Sequence, residues 1–273
     1  MISYAFNKLL SNDPDITHYD INYIHICEEK ANIIANILRV NTHLVKLDIS
    51  NCSRANNAID IIMNALCHNN TLKTLLLYRL DITDHDAIAI SNMLKTNNTL
   101  TYLDISKNHI CCNGAKEIAI ALTMNTTLCY LDMNFNKMRK NDNCVEEIVD
   151  MIKKNKSLNT LDFYYNNFND DEIVAIIKAL QENNKLFSFS ISRISIANNS
   201  VIIEEIINLI RINHSLKQLR INNINHEYEN SMIEALQYNC TLEYVNFIDD
   251  IHFSEEEIQL RRRCLTTKPA KKN

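Results

Sequence analysis

The chain has 273 residues, a net charge of -5 and 46% apolar residues, a composition typical of a folded protein rather than a disordered one. A single glycine and two prolines exclude glycine-rich phosphate loops and dinucleotide-binding turns, which need several glycines in one short segment. The acidic balance argues against nucleic-acid binding, since nucleic-acid binders carry a basic face. No run of about 18 apolar residues occurs, so we expect no membrane partner.

Nine cysteines are scattered along the chain, and none of them form a CxxC pair. An odd number at irregular spacing is not a disulfide framework, and neither zinc nor thioredoxin-type chemistry is indicated. The N-terminus lacks the basic start and the apolar run of a signal peptide. We therefore expect a protein without cofactors in an intracellular, reducing compartment such as the cytoplasm.

Residues 1–11 are predicted to form an N-terminal cap. Within them SYAFNKLL, residues 3–10, has the spacing of a short amphipathic helix. An array of repeats exposes an apolar edge at each end, and this helix would cover the first edge.

One phrase recurs between residues 12 and 253, and NNTLTYLDIS at 97–106 is a clear copy of it. The first leucine of the phrase returns at intervals of 26 to 30 residues, most often 28. These leucines are Leu44, Leu72, Leu100, Leu128, Leu158, Leu186, Leu216 and Leu242. A degenerate copy begins at Ile16, which makes about nine units and predicts a solenoid.

Each unit is predicted to combine a short strand with a helix. In the copy at 97–106, Leu103 and Ile105 alternate with polar residues, as in a strand with one buried face. Apolar residues at helical spacing follow each strand, for example Ile88, Ile90 and Leu94, or Ile173, Ile176, Ile177 and Leu180. Strands joined by crossover helices must be parallel, with right-handed connections.

The spacing L-x-x-L-x-L followed by an asparagine resembles the leucine-rich repeat, and the 28-residue period resembles its ribonuclease-inhibitor subtype. The resemblance implies an α/β solenoid, or horseshoe, with a parallel β-sheet on the concave face and α-helices on the convex face. Asn108, Asn136 and Asn166 match the asparagine that satisfies turn backbone groups in this family. The other units have Ile24, Cys52, Leu80, Ile194, Ile224 and Asp250 instead.

Another asparagine stands three residues before the first leucine of each full unit, where a helix must end and a strand begin. These residues are Asn41, Asn69, Asn97, Asn125, Asn155, Asn183, Asn213 and Asn239. Helices often end at a residue with positive φ, which glycine or asparagine adopts at low cost. Since glycine is nearly absent, we expect most of these asparagines to have positive φ or to cap a helix with their side chains.

Residues 254–273 are predicted to form a C-terminal capping helix and a basic tail. Ser254 and Glu257 have the spacing of a capping box, and lysines and arginines follow them. Together the caps and the repeats predict a single domain over residues 1–273.

The closest approach to metal-site spacing is the segment from His109 to Cys112. Adjacent cysteines in an extended segment point to opposite sides, and Ile110 is needed in the core, so variable turn residues are the favoured interpretation. No HExxH motif occurs, and an open array of repeats has no pocket by default. We expect no metal, no small-molecule substrate and no catalysis.

The face of the sheet away from the helices is the predicted binding surface. Its middle column reads Asp20, Asp48, Leu76, Asp104, Asp132, Asp162, Ser190, Arg220 and Asn246. Parallel strands lie about 4.8 Å apart, so these aspartates form a ladder of like charge that a basic partner would relieve. The alternative is that Leu-Asp-Leu-Ser is a common sequence in leucine-rich repeats and that some of these aspartates have no binding role.

Aromatic and arginine side chains flank the acidic column and are frequent hot-spot residues of protein interfaces. Tyr102 and Tyr130 fall on neighbouring strands, although they could equally serve only to pack against each other. The predicted partner-binding set is Tyr78, Arg79, Tyr102, Asp104, Tyr130, Asp132, Phe135, Asp162, Tyr164 and Tyr165.

The sequence therefore predicts a non-catalytic scaffold that binds a protein with a basic or mixed surface. The alternative is an enzyme regulator, since the resembled subtype includes ribonuclease inhibitors and GTPase activators. Arg79 and Arg193 occupy turn positions from which a transition-state arginine could project. A third hypothesis is a secreted bacterial effector acting in a host cell, because glutamates 255–257 resemble a segment of some type IV effectors.

Overall fold

The computed structural model describes residues 2–138, 144–192, 200–222, 224, 226–248 and 251–253. The chain forms two compact units, Met1–Leu158 and Asn159–Asn273, and each is described by itself. The predicted C-terminal capping helix and basic tail at 254–273 lie outside the described residues, as do Arg193, Ile194 and Asp250. The single domain over 1–273 stays a prediction.

In the first unit, short strands alternate with helices. The helices are α1 (Ile2–Leu10), α2 (Glu28–Val40), α3 (Ala58–Leu66), α4 (Asp84–Thr96), α5 (Cys112–Met124) and α6 (Val145–Lys154). The strands are β1 (His18–Asp20), β2 (His25–Ile26), β3 (Lys46–Asp48), β4 (Ser53–Arg54), β5 (Thr74–Leu76), β6 (Tyr102–Asp104) and β7 (Tyr130–Asp132). Strands β1, β3, β5, β6 and β7 are neighbours in that order and pair in parallel, while β2 and β4 form a separate parallel pair. The predicted alternation of parallel strands with helices is confirmed.

The second unit continues the alternation. Its helices are α7 (Asp170–Glu182), α8 (Ser200–Ile212) and α9 (Glu229–Tyr238), with a 3-10 turn at His226–Tyr228. Its strands are β8 (Thr160–Phe163), β9 (Ser188–Ser192), β10 (Gln218–Asn222), β11 (Tyr244–Ile248) and β12 (Ile251–Phe253). Strands β8 to β11 are parallel, but β12 pairs antiparallel with β11, so the prediction of parallel strands throughout the array is wrong at this end. Only two residues separate β11 from β12, too few for a crossover.

The leucines of the repeated phrase align in the core because the strands pair without a shift of register. Leu47, Leu75, Leu103 and Leu131 are direct partners along the first-unit sheet, and all are buried. The predicted apolar face of α7 is buried at all four positions. In α4, however, Ile88 is 45% exposed and Ala87 is buried in its place. The predicted face of α4 is therefore confirmed at Ile90 and Leu94 and wrong at Ile88 alone.

The asparagines before each first leucine end the helices, but not with the predicted positive φ. Asn97 has φ -75° and ψ 123°, which is extended backbone, and the other described members at helix ends are similar. Its Oδ1 accepts hydrogen bonds from the N–H groups of Thr99 and Leu100. Its Nδ2 donates to the carbonyl of Leu66, at the end of the helix one repeat earlier. The second half of the prediction is thus confirmed, because the side chain caps a helix.

The same amide contact recurs along both units. The donor and acceptor pairs are Asn41 to Leu9, Asn69 to Leu38, Asn125 to Leu94, Asn155 to Leu122, Asn213 to Leu180 and Asn239 to Ile210. Each side chain therefore donates to a carbonyl in the last turn of a helix and joins one repeat to the previous one.

The turn asparagine Asn108 also behaves as the resemblance implies. Asn108 donates to the carbonyls of Leu77 and Ile105 and accepts from the N–H groups of Leu80 and Ile82. In the unit that has Cys52 at this position, the thiol donates to the carbonyl of Ile21 instead. A smaller donor thus fills part of the same role.

Candidate protein-binding surface

The middle column of the exposed sheet face is confirmed by the register of the strands. In the first unit, Asp20 pairs with Asp48, Asp48 with Leu76, Leu76 with Asp104, and Asp104 with Asp132. In the second unit, Asp162 pairs with Ser190, Ser190 with Arg220, and Arg220 with Asn246. The first unit therefore carries four of the five aspartates of the column, interrupted by one leucine.

Four of the five aspartates of the column, all except Asp20, also have a local structural role. Oδ1 of Asp104 accepts from the N–H of Ser106, and Asp48 and Asp132 make the same contact two residues onward. In the second unit Asp162 accepts from the N–H of Tyr164. Such a side chain ends the strand and starts the turn. Part of the acidic column is thus explained by the fold, as the alternative interpretation of the sequence proposed.

The folded protein nonetheless disfavours the negative charge of Asp104. Burial raises the pKa of this carboxyl, the hydrogen bonds from Ser106 oppose that shift, and the negative charge of Asp48 adds to it. Asp20 has Lys46 at 3.8 Å, whereas Asp48 and Asp104 have no cation within ion-pair distance among the residues that the structure describes. A basic side chain from another molecule would therefore offset the negative charge of both carboxylates.

Tyr102 and Tyr130 lie on the same face, two residues before Asp104 and Asp132 in their strands. Their rings are stacked, with centroids 4.0 Å apart and an interplanar angle of 8°. Both side chains remain partly exposed, and burial raises the pKa of the Tyr102 hydroxyl. The structure therefore brings together the predicted tyrosine pair and the predicted carboxylate pair as one patch.

Turn residues with left-handed backbone follow several strands, and we call the row of their side chains the ridge. In the first unit Asn51, Arg79, Lys107 and Phe135 have φ between 50° and 55°. None of these four positions has glycine, the residue that tolerates left-handed backbone best. The bulkier side chains adopt this backbone at a cost of about 1 kcal/mol each. Arg79 and Phe135 of the predicted set belong to this ridge, and both are exposed.

Lys107 is a member of the ridge that the sequence reasoning missed. Its ammonium lies 5.2 Å from the ring centroids of both Tyr78 and Phe135 and donates to the Tyr78 hydroxyl at 3.1 Å. The only signal in the sequence was its place 28 residues after Arg79. The ridge is therefore basic and aromatic, and it borders the acidic sheet face of the same unit.

Three residues of the predicted binding set lie in the second unit, and their exposure and contacts differ. Tyr165 is 49% exposed with φ 52°, at the position equivalent to Phe135. Tyr164 is only 5% exposed, because the guanidinium of Arg220 lies 3.6 Å above its ring. Asp162 keeps the turn contact given above. The ring face of Tyr164 that Arg220 covers is thus not offered to a partner.

A polar pocket of about 550 Å³ lies in the first unit, apart from the predicted set. Arg54, which lines it, donates to the carbonyls of Leu80 and Asp81 and pairs with the carboxylate of Asp86. Asp86 also accepts from Thr83 in the capping box of α4. The buried ion pair of Arg54 and Asp86 therefore stabilises the start of α4.

The turn segment with His109 was the nearest approach to a metal site. His109 lies 3.3 Å from Asp81, Ile110 is buried, and Cys111 and Cys112 are directed differently, the second into the core. Within the described ranges, no three His, Cys, Asp or Glu residues come together as a metal-binding group. In the same ranges, no helix has both the length and the apolar character needed to cross a membrane.

The repeated strand–helix units and their aligned leucines make the fold leucine-rich-repeat-like. No family model matches the chain, and no curated protein matches it either. Among solved structures, the second actin-binding site of leiomodin-1 is similar, with a TM-score of 0.44 and 24% identity over 67% of this chain and 89% of that chain. A likeness of this extent carries no inference about function or partner.

Proposed function

We propose that the chain is a non-catalytic scaffold that binds a partner protein on the exposed sheet face of its first unit. The observation that carries the proposal is the patch of Tyr102, Tyr130, Asp104 and Asp132, in register on neighbouring strands and partly exposed. Aromatic anchors beside carboxylates favour a partner with lysines or arginines at the contact. The proposal includes the predicted solenoid of ribonuclease-inhibitor-like type, with this face on its concave side.

The ridge refines the expected partner. Arg79 and Lys107 are basic and lie beside the acidic patch, so a partner of mixed charge fits better than a uniformly basic one. Arg79 is exposed, and its guanidinium has no partner among the described residues. An acidic side chain of the partner would pair with it.

A capture experiment tests the proposal. The tagged chain is used to retain proteins from lysates of its own cells and of a eukaryotic host. It is compared with a face variant carrying Tyr102→Ala, Tyr130→Ala, Asp104→Asn and Asp132→Asn. Asparagine keeps the acceptor that the turn needs and removes only the charge. A control variant changes exposed helix residues instead, Ile88→Ala and Asn92→Ala.

We expect a protein that the wild type and the control retain and that the face variant loses. The two tyrosine changes alone should weaken its binding by more than about 1 kcal/mol. Melting curves must show all three chains folded. Equal retention by the face variant and the wild type would contradict the proposal.

An enzyme regulator is the second candidate, and the unpaired Arg79 at the ridge favours it. Faster GTP hydrolysis by one of a panel of small GTPases, lost in Arg79→Ala, would support this candidate. An unchanged rate across the panel would count against a GTPase activator. The secreted-effector hypothesis stays a prediction, since glutamates 255–257 lie outside the described residues.

A further inference from the structure

We infer that Cys112 and Cys144 are an oxidation site, at which a peroxide joins the two thiols in an intramolecular disulfide. Their Sγ atoms are 2.7 Å apart, and no disulfide joins them in this structure. The two residues are 2% and 1% exposed. The pair is thus preformed inside the first unit.

The positions of the two cysteines explain why they meet. Cys112 is the first residue of α5, and Cys144 precedes the first residue of α6. The starts of neighbouring helices in an array of repeats lie side by side, and α5 and α6 pack against each other. Other thiols are directed elsewhere, since Cys52 and Cys129 face the backbone carbonyls of Ile21 and Thr127.

The chemistry balances with hydrogen peroxide as the oxidant. One cysteine, as the thiolate, attacks a peroxide oxygen, the O–O bond breaks, and a sulfenic acid and one water form. The second thiol then displaces the sulfenic hydroxyl as a second water, and the S–S bond forms. The two thiols together lose two electrons and two protons, and the peroxide is reduced to water.

Burial sets the expected kinetics and consequences of the reaction. Peroxide reaches the pair only when this part of the unit opens, so the exposed Cys240 should react first. The bond would close a loop from residue 112 to 144 that contains β7. Closing such a loop restricts the unfolded chain, so the oxidised protein should melt at a higher temperature.

Peptide mapping of the full chain tests the inference. The reduced protein is treated with hydrogen peroxide, remaining thiols are blocked with N-ethylmaleimide under denaturing conditions, and tryptic peptides are identified by mass spectrometry. We expect peptides 108–116 and 141–153 linked, with the loss of two hydrogen masses. Dithiothreitol should separate them and reverse a rise in Tm of several degrees.

Variants assign the linkage, because peptide 108–116 contains both Cys111 and Cys112. Cys111→Ser should still form the linked pair, and so should Cys129→Ser as the matched control. Cys112→Ser and Cys144→Ser should not. The inference is overturned if both thiols of the wild type remain open to alkylation after peroxide. A link that Cys111→Ser abolishes and Cys112→Ser retains would overturn it as well. The alkylation result uses the wild type alone and needs no folded variant.

Discussion

Asparagine side chains act in this protein as connectors between repeats. A single amide accepts from two N–H groups of its own turn and donates to the last turn of the previous helix, as Asn97 does with Thr99, Leu100 and Leu66. Neither glycine nor alanine can make these contacts. The choice of asparagine therefore follows from hydrogen bonding, and not from its tolerance of positive φ.

Substitutions of Asn97 separate these two reasons. Asn97→Ala should lower the free energy of unfolding by about 1–3 kcal/mol, because buried N–H and carbonyl groups lose their partners. Asn97→Gly should cost at least as much, since φ -75° gives glycine no advantage. Denaturant unfolding measures both. The exposed neighbour serves as the control, and Asn98→Ala should change stability by less than about 0.5 kcal/mol. Wild-type stability in the glycine variant would refute the hydrogen-bonding explanation.

Asp104 is expected to make stability depend on pH in a defined direction. Its pKa is raised in the folded state, chiefly by burial, so the folded protein takes up this proton more readily than the unfolded chain does. This site therefore favours folding most at low pH, and that contribution is lost as pH rises through the raised pKa. Asp104→Asn should be at least as stable as the wild type at pH 7, with an advantage that shrinks toward pH 4.

Thermal melting of both chains between pH 4 and 7 measures this difference. Global acid effects are common to the two proteins, so their difference isolates the one carboxyl. Asp60→Asn, at a more exposed helix position, provides a matched loss of charge. A variant that loses stability at pH 7 would show that the charge of Asp104, and not only its acceptor oxygen, supports the turn.

At the scale of elements, the contact between α4 and α5 depends on the chain's only glycine. A Cβ on Gly114 would lie 2.7 Å from Oδ1 of Asp84, 2.8 Å from Cβ of Ala87 and 2.9 Å from Cγ2 of Ile110. Asp84 in turn accepts from the N–H of Cys111, at the start of α5. Close approach of the two helices, rather than backbone freedom, therefore requires glycine here.

Gly114→Ala is consequently predicted to reverse the usual order of helix preference. Alanine in a helix is ordinarily about 1 kcal/mol more stable than glycine. Overpacking against α4 and Ile110 should instead make this variant less stable by about 1–3 kcal/mol, as measured by denaturant unfolding. Asn113→Ala, exposed in the same helix, is the control and should be nearly neutral. A stabilised Gly114→Ala would mean that the helices can separate freely.

Elements were predictable wherever the apolar spacing alone defines them. The strand positions and the four buried residues of α7 follow from the period of the sequence. Ile88 and β12 were not predictable in this way. Which side of α4 admits a small residue depends on its neighbours, and the direction of β12 depends on a short connection at the end of the array.

At the scale of the whole molecule, repetition distributes stability over contacts between adjacent repeats. Each of these asparagine contacts and each pair of parallel strands joins residues 26 to 33 positions apart, so no single repeat within the array satisfies its own backbone. The binding patch proposed for the first unit uses the same repetition. Equivalent positions on neighbouring strands place like side chains side by side, as in the tyrosine and aspartate pairs.

The sequence by itself determined the period, the alternation of strand and helix, the leucine core and the columns of the sheet face. These features depend on spacing along the chain, because periodic burial of side chains produces a periodic pattern of apolar residues. Only the tertiary structure decided the φ values of the asparagines, the cover of Arg220 over Tyr164, the place of Lys107 between two rings and the meeting of Cys112 with Cys144. These features depend on contacts between side chains from different repeats, and spacing along the chain does not record their distances or directions.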